Sequence, residues 1–215
     1  MNEAEWVIDL VDKDLDIDGW RFLPSGLDAD SREQWLAESA AELDGMVGWD
    51  EDHVTADVAR ALLEQALEMR DEAQSVAMLQ VWPPFDGQTA MCHVNILPSA
   101  AMPAWTELDD AVVQPVDAPH LGRGLHVVTQ RMVRMDEGQQ DVEITGVHFI
   151  FANDEITVML SLDETLTPLV GLTMPALVVL MHNMRVINKT DGTAFEGVSP
   201  QGLLSEEPWD FEASR

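Results

Sequence analysis

Four aspartates alternate along one short stretch, Asp12, Asp14, Asp16 and Asp18, and Gly19 follows them. Calcium needs several hard oxygens wrapped around a sharp bend, and Asp14, Asp16 and Asp18 have the alternate spacing of a calcium loop. The bidentate glutamate that closes such a loop is missing, because position 12 counted from Asp14 is Ser25, just after Pro24. A solvated acidic turn accounts for the same residues. His93, His126 and His148 each fall in a strand-like stretch, so three imidazoles could converge on a zinc ion if those strands are neighbours. No HxH or HExxH pair demands it, and each histidine also reads as a half-buried strand residue. Cys92 and His93 are adjacent in a strand, where successive side chains point to opposite faces, so they cannot form a nucleophile and base pair.

Other catalytic signatures are absent. There is no GxSxG elbow, the glycines near Gly122 and Gly124 lack the rest of a phosphate loop, and the chain has two lysines, Lys13 and Lys189. An enzyme would have to assemble its site from residues far apart in sequence. No catalytic residue and no cofactor is expected.

The elements that would position these side chains follow from periodicity. Residues 142–187 read as a β-hairpin running into a long apolar helix. With Asn153 and Asp154 as a two-residue turn, Phe151 faces Ile156, Phe149 faces Val158 and Val147 faces Leu160 on one uniformly apolar side. Thr165 or Thr167 can cap the helix, Pro168 suits its first turn, and the run Met174 to Met181 is apolar on every side, which predicts burial on more than one face. Upstream, residues 4–11 and 20–23 are strand-like. Asp30 and Glu33 resemble a capping pair for a helix that closes near Gly45 or Gly48. A second helix over 52–72 carries Val58, Leu62, Ala66 and Met69 on one stripe, with Leu63 and Leu67 beside it. Strands follow at 76–82, 89–97, 111–116 and 124–135, separated by Pro, Gly and Asp clusters. Helices set apart from consecutive strands predict an α+β fold, an antiparallel sheet flanked by helices.

At 215 residues with 46% hydrophobic content, the chain suits one cored domain, 1–187, with a C-terminal extension, 188–215, packed on that domain or on a neighbour. The formal charge is −29. Such a surface repels phosphate backbones and anionic headgroups, so neither nucleic acid nor a membrane is an expected partner. Residues 1–72 hold 21 acidic against 5 basic side chains, so a basic partner would meet that third, although exposed helices and solubility account for acid as well. One cysteine, no signal-like start and no long apolar run make a cytoplasmic protein the expectation.

The early WRFLP strand, the two helices, the meander of strands and the final hairpin running into a helix that ends in RVI resemble the PsbP-like α/β/α sandwich over roughly Trp20 to Ile187. Extrinsic photosystem II proteins, a Ran-binding nuclear import factor and LpqN-type actinobacterial lipoproteins share that fold. The resemblance implies action by binding proteins rather than by catalysis. The leading expectation is therefore a soluble, non-enzymatic protein that binds another protein or itself. Met174, Leu177 and Met181 on the apolar helix, with Trp209 and Phe211 in the tail, are the candidate partner-binding residues. The alternative is a small-ligand or metal binder with a pocket between sheet and helices near His93, His126 and His148.

Overall fold

The computed structural model describes residues 6–13, 15–46, 55–82, 89–99, 111–134 and 141–198. In chain order the elements are β1 (Trp6–Leu10), β2 (Trp20–Phe22), α1 (Ala29–Met46), α2 (Ala56–Glu72), β3 (Ala77–Val81), β4 (Ala90–Pro98), β5 (Ala111–Ala118), β6 (Gly122–Arg134), β7 (Asp141–Ala152), β8 (Ile156–Leu166), α3 (Thr167–Asn183) and β9 (Met184–Asn188). Among the described residues seven strands form one sheet in the order β2-β3-β4-β8-β7-β6-β5, and β1 pairs with β9 in a separate ribbon. Every pairing between these strands is antiparallel, in line with the α+β expectation, and an isolated parallel bridge joins Gly122 to Gly197.

Alternation along the strands sets the layers. Leu79, Cys92 and Val94 are buried with Leu177, Leu180 and Met181 of α3, whereas their neighbours Met78 and Met91 pack with Leu36, Leu43, Leu63 and Leu67 of α1 and α2. Successive strand side chains point to opposite faces, so α3 covers one face of the sheet and the α1/α2 pair the other. The ribbon lies on the α3 side, where Trp6, Ile8 and Leu10 pack partly buried against that core.

Local details differ from the sequence reading for identifiable reasons. In the β7–β8 hairpin Phe151 pairs with Val158, Phe149 with Leu160 and Val147 with Leu162, two residues along from the expected register. Asn153 opens the turn rather than occupying its tip, because its Oδ1 accepts from the amides of Glu155 and Ile156, both at 2.9 Å. A slip of two keeps every side chain on its face, so the apolar side survives intact. At α1 the cap is Asp28, whose Oδ1 accepts from the Ser31 amide at 2.8 Å; that bond also holds its carboxyl below the usual range. Asp30 lies inside the helix.

On α2 the buried stripe is Ala59, Leu63, Ala66, Leu67 and Arg70, while Val58 and Met69 are exposed. The alanines turn inward because α1 presents Ala40 between Leu36 and Leu43, and small residues let the helices approach. On α3 neither Thr165, which lies in β8, nor Thr167 caps the helix; Thr167 Oγ1 instead stands 2.8 Å from Thr145 Oγ1. Pro168 is in the first turn as expected. The helix buries one side, Leu169, Val170, Thr173, Leu177, Leu180 and Met181, and leaves Leu172 and Val179 exposed around Pro175.

The RVI segment is strand rather than helix end. β9 pairs with β1 from Trp6↔Asn188 to Leu10↔Met184, giving Val186 and Ile187 the extended conformation that suits β-branched residues. The chain then folds back on β9, with Phe195 N donating to Val186 O at 2.8 Å and the Phe195 ring buried edge-on to Trp6.

Gly19 ends the acidic turn with φ +75°, and its carbonyl accepts from Trp82 N at 2.6 Å. An added Cβ would sit 2.1 Å from the Trp82 carbonyl oxygen, whereas at Gly26, φ +68°, nothing among the described residues lies within 4 Å. Both substitutions to alanine incur left-handed strain of about 1 kcal/mol, and only Gly19→Ala must also displace backbone. Urea unfolding should show Gly19→Ala destabilised by about 2 kcal/mol or more and Gly26→Ala by roughly half as much. Equal losses would mean that the contact with Trp82 is not a constraint.

Candidate functional site

The acidic turn links β1 to β2. Asp14 lies outside the described residues, and Asp16 and Asp18 are exposed. Leu15 and Ile17, which alternate with them, pack against the core beneath α3. The alternation is thus that of a link with one wet and one dry side. Among the described residues no three His, Cys, Asp or Glu side chains are gathered as a metal ion would need.

The three strand histidines divide between the faces. His93 on β4 and His148 on β7 are both register partners of Ser161 on β8, so they flank it on the face opposite α3, two strand spacings or about 10 Å apart. His126 on β6 pairs with Phe149 and shares the α3 face, where its ring stacks on Phe149 with centroids 4.9 Å apart. Its Nε2 is buried without a hydrogen-bond partner among the described residues, and burial, with His148 nearby, holds its pKa below the ordinary value. Cys92, next to His93, is fully buried under α3 and its thiol is pushed far up by desolvation, so it is inert.

The face carrying His93 and His148 is polar in mid-sheet. His93 Nε2 lies 2.9 Å from Asp163 Oδ2 and Nδ1 lies 3.2 Å from Ser75 Oγ. His148 Nδ1 lies 2.9 Å from Ser161 Oγ. The β7 register breaks at Gly146, where an added Cβ would meet Thr129 Oγ1 at 2.8 Å and Glu164 Cγ at 3.3 Å. The absent side chain leaves room for Glu164, which takes Arg131 Nε at 2.9 Å. Burial depresses the pKa of His148, against the opposing pull of Asp163 and Glu164. Ser75 and Asp163 had no signal in the sequence, since they stand 18 and 70 positions from His93 and belong to no local motif.

The residues expected at a partner surface are placed differently from one another. Leu177 and Met181 are fully buried in the core under α3, and Met174 packs partly buried beside them. Trp209 and Phe211 lie outside the described residues. The exposed apolar surface with a shaped cleft is elsewhere, between the ribbon and the β2–β3 end of the sheet. It encloses about 450 Å³ and is lined by Ile8, Leu10, Lys13, Phe22, Val76 and Ala77 among others. Phe22 and Val76 are 48% and 39% exposed there, although they are large apolar side chains.

The backbone of β1 completes this cleft. Val11 N donates to Asn183 O at 2.8 Å, which fixes the alternation of the ladder. Val7, Asp9 and Val11 therefore direct their amide groups at β9, and Trp6, Ile8 and Leu10 direct theirs outward. Among the described residues no strand pairs with that outer edge. Asp9 is neutralised by Arg185, whose Nε is 2.9 Å from Oδ2, and by Lys13.

Because both His126 and His148 are held below the ordinary imidazole range, the unfolded chain takes up protons first as pH falls. Their contribution is neutral near pH 7, and stability is lost as pH drops through the unfolded value of about 6.5. His126→Phe keeps the ring stack and removes one of these titrations. Urea midpoints at pH 7.5 and 5.5 should fall less between the two conditions for the variant than for the parent chain; an equal fall would mean that His126 is not held neutral.

Comparison of the chain with protein-family models, with curated proteins and with solved structures returns no match.

Proposed function

We propose that this protein binds an extended segment of another protein, which adds as a strand to the outer edge of β1 and seats apolar side chains in the cleft between β1, Phe22 and Val76. The observation that carries this is the row of outward amides at Trp6, Ile8 and Leu10 beside exposed apolar side chains. An unpaired edge is a template for pairing, and folded proteins ordinarily blunt such edges. The outer strands of the main sheet are blunted: β2 is three residues long, and β5 carries Pro115 and Asp117. β1, with the sequence WVIDL, is longer than β2 and carries no proline, and its one charge, Asp9, is paired with Arg185 and Lys13.

Charge selects the partner. The link leaving β1 carries Asp12, Asp16 and Asp18, and the whole chain is at −29. Two copies of this chain would repel, while a segment alternating apolar and basic residues gains apolar contact and a favourable field together. The PsbP-like resemblance points the same way, since its members bind proteins, and its α/β/α arrangement is the fold reading we adopt here.

A fluorescent peptide alternating Val and Lys tests the proposal by anisotropy on the intact chain. Binding should weaken about tenfold in Phe22→Ser with Val76→Ser, fall with added salt, and vanish for a peptide alternating Val and Glu. Binding that ignores these substitutions would remove the edge from consideration. A dimer seen by light scattering, broken by the same substitutions, would make the occupant a second copy and overturn the choice of a basic partner.

A further inference from the structure

Ser75 lies in the short connection from α2 to β3, and two contacts fix its backbone. The guanidinium of Arg70, buried in the last turn of α2, donates to the Ser75 carbonyl at 3.0 Å and to the Val76 carbonyl at 3.3 Å. Val76 N donates to Val94 O of β4 at 2.8 Å. The serine hydroxyl is thereby held 3.2 Å from Nδ1 of His93, whose Nε2 is 2.9 Å from Asp163.

Chemistry assigns the protons. An ionised carboxylate only accepts, so the Asp163 contact requires the proton of a neutral His93 on Nε2. Nδ1 then carries the lone pair, and Ser75 Oγ donates to it. This is the order of groups in an activated nucleophile: a hydroxyl, a base that can take its proton, and an acid that holds the base in the productive tautomer. The Arg70 guanidinium beside the Ser75 carbonyl adds a positive charge of the sign that an oxyanion requires. The site is open on one side, with the Asp163 side chain 48% exposed.

We propose that Ser75 is an acyl-accepting nucleophile with His93 as its base and Asp163 as a positioning residue, acting on small carboxylic esters. Ser75 Oγ bonds to the ester carbonyl carbon while its proton passes to His93 Nδ1. The carbon–alkoxide bond then breaks, and the alkoxide leaves as an alcohol with that proton. Water attacks the acyl-serine, gives a proton to His93, and Ser75 departs with it, releasing the carboxylic acid. No oxidation or reduction occurs.

A fluorophosphonate probe on the intact chain tests this without knowledge of the natural ester. One phosphonyl adduct is expected, assigned by peptide mass spectrometry to Ser75, with slow turnover of 4-nitrophenyl acetate. His93→Gln should slow labelling at least a hundredfold. Asp163→Asn should slow the covalent step about tenfold while leaving the probe's reversible binding constant unchanged, a split that a merely structural tie would not produce. Circular dichroism on each variant separates loss of reactivity from loss of fold. No adduct on the parent chain, an adduct only on another serine, or labelling indifferent to His93→Gln in a folded variant overturns the assignment. None of these results depends on peptide binding at β1.

Discussion

One side of β4, β8 and β7 must stay dry beneath α3, and the rest of the molecule follows from that. Val147, Phe149, Phe151, Val158, Leu160 and Leu162 are buried there against Leu177, Leu180 and Met181. Each such side chain contributes about 1.5–3 kcal/mol when removed from water. A slip of one residue in any of the three strands would turn its whole set outward, so register is held firmly. The same alternation delivers His93, Ser161 and His148 to the opposite side as one row across three strands. Their alignment is thus a by-product of apolar burial, and it needs no separate interaction to maintain it.

Much of the fold was legible because period and punctuation agreed. The long strands and both amphipathic helices showed the right repeat, and Pro and Gly clusters separated them. What could not be read was decided by partners far along the chain. β9 follows α3 with no glycine or proline between them, and its conformation is set by β1, more than 170 residues away in sequence. The inward stripe of α2 runs through Ala59 and Ala66 rather than the bulkier Val58 and Met69 because α1 approaches closely, which the helix's own sequence does not express. The β7–β8 turn was misplaced by the two hydrogen bonds that Asn153 makes to following amides, a choice between two local conformations that pairing resolves.

The candidate sites show the same division. The strand histidines could be picked out by residue type, yet their faces depended on register: Val127 is the partner of His148, and His126, one residue earlier, faces the other side with Phe149. Ser75 and Asp163 were invisible, because a serine before a strand and an aspartate within one are ordinary residues until β4 places His93 between them. The cleft at β1 was equally hidden. Phe22 and Val76 belong to strand-like runs in the sequence, and they remain exposed because β2 ends at Phe22 and Val76 precedes the first residue of β3. Apolar side chains just beyond the end of a strand pair lack the second layer that covers those inside it.

Ser75, Val76 and Ala77 join the two sites. Val76 and Ala77 line the cleft on the α3 side, and Ser75, one residue earlier, reaches His93 on the other. Arg70 grips the carbonyls of both Ser75 and Val76, so the pair moves as a unit against the C-terminal end of α2. Under the binding proposed at β1, a segment seated on Val76 would press on a backbone tied to β4 through Val76 N and to Arg70 through both carbonyls. The 3.2 Å contact between Ser75 Oγ and His93 Nδ1 has little tolerance for such a shift, because a hydrogen bond is lost within a few tenths of an ångström beyond it. The proposed occupant of the cleft and the proposed nucleophile would therefore act on one three-residue strip of backbone, which a buried arginine holds.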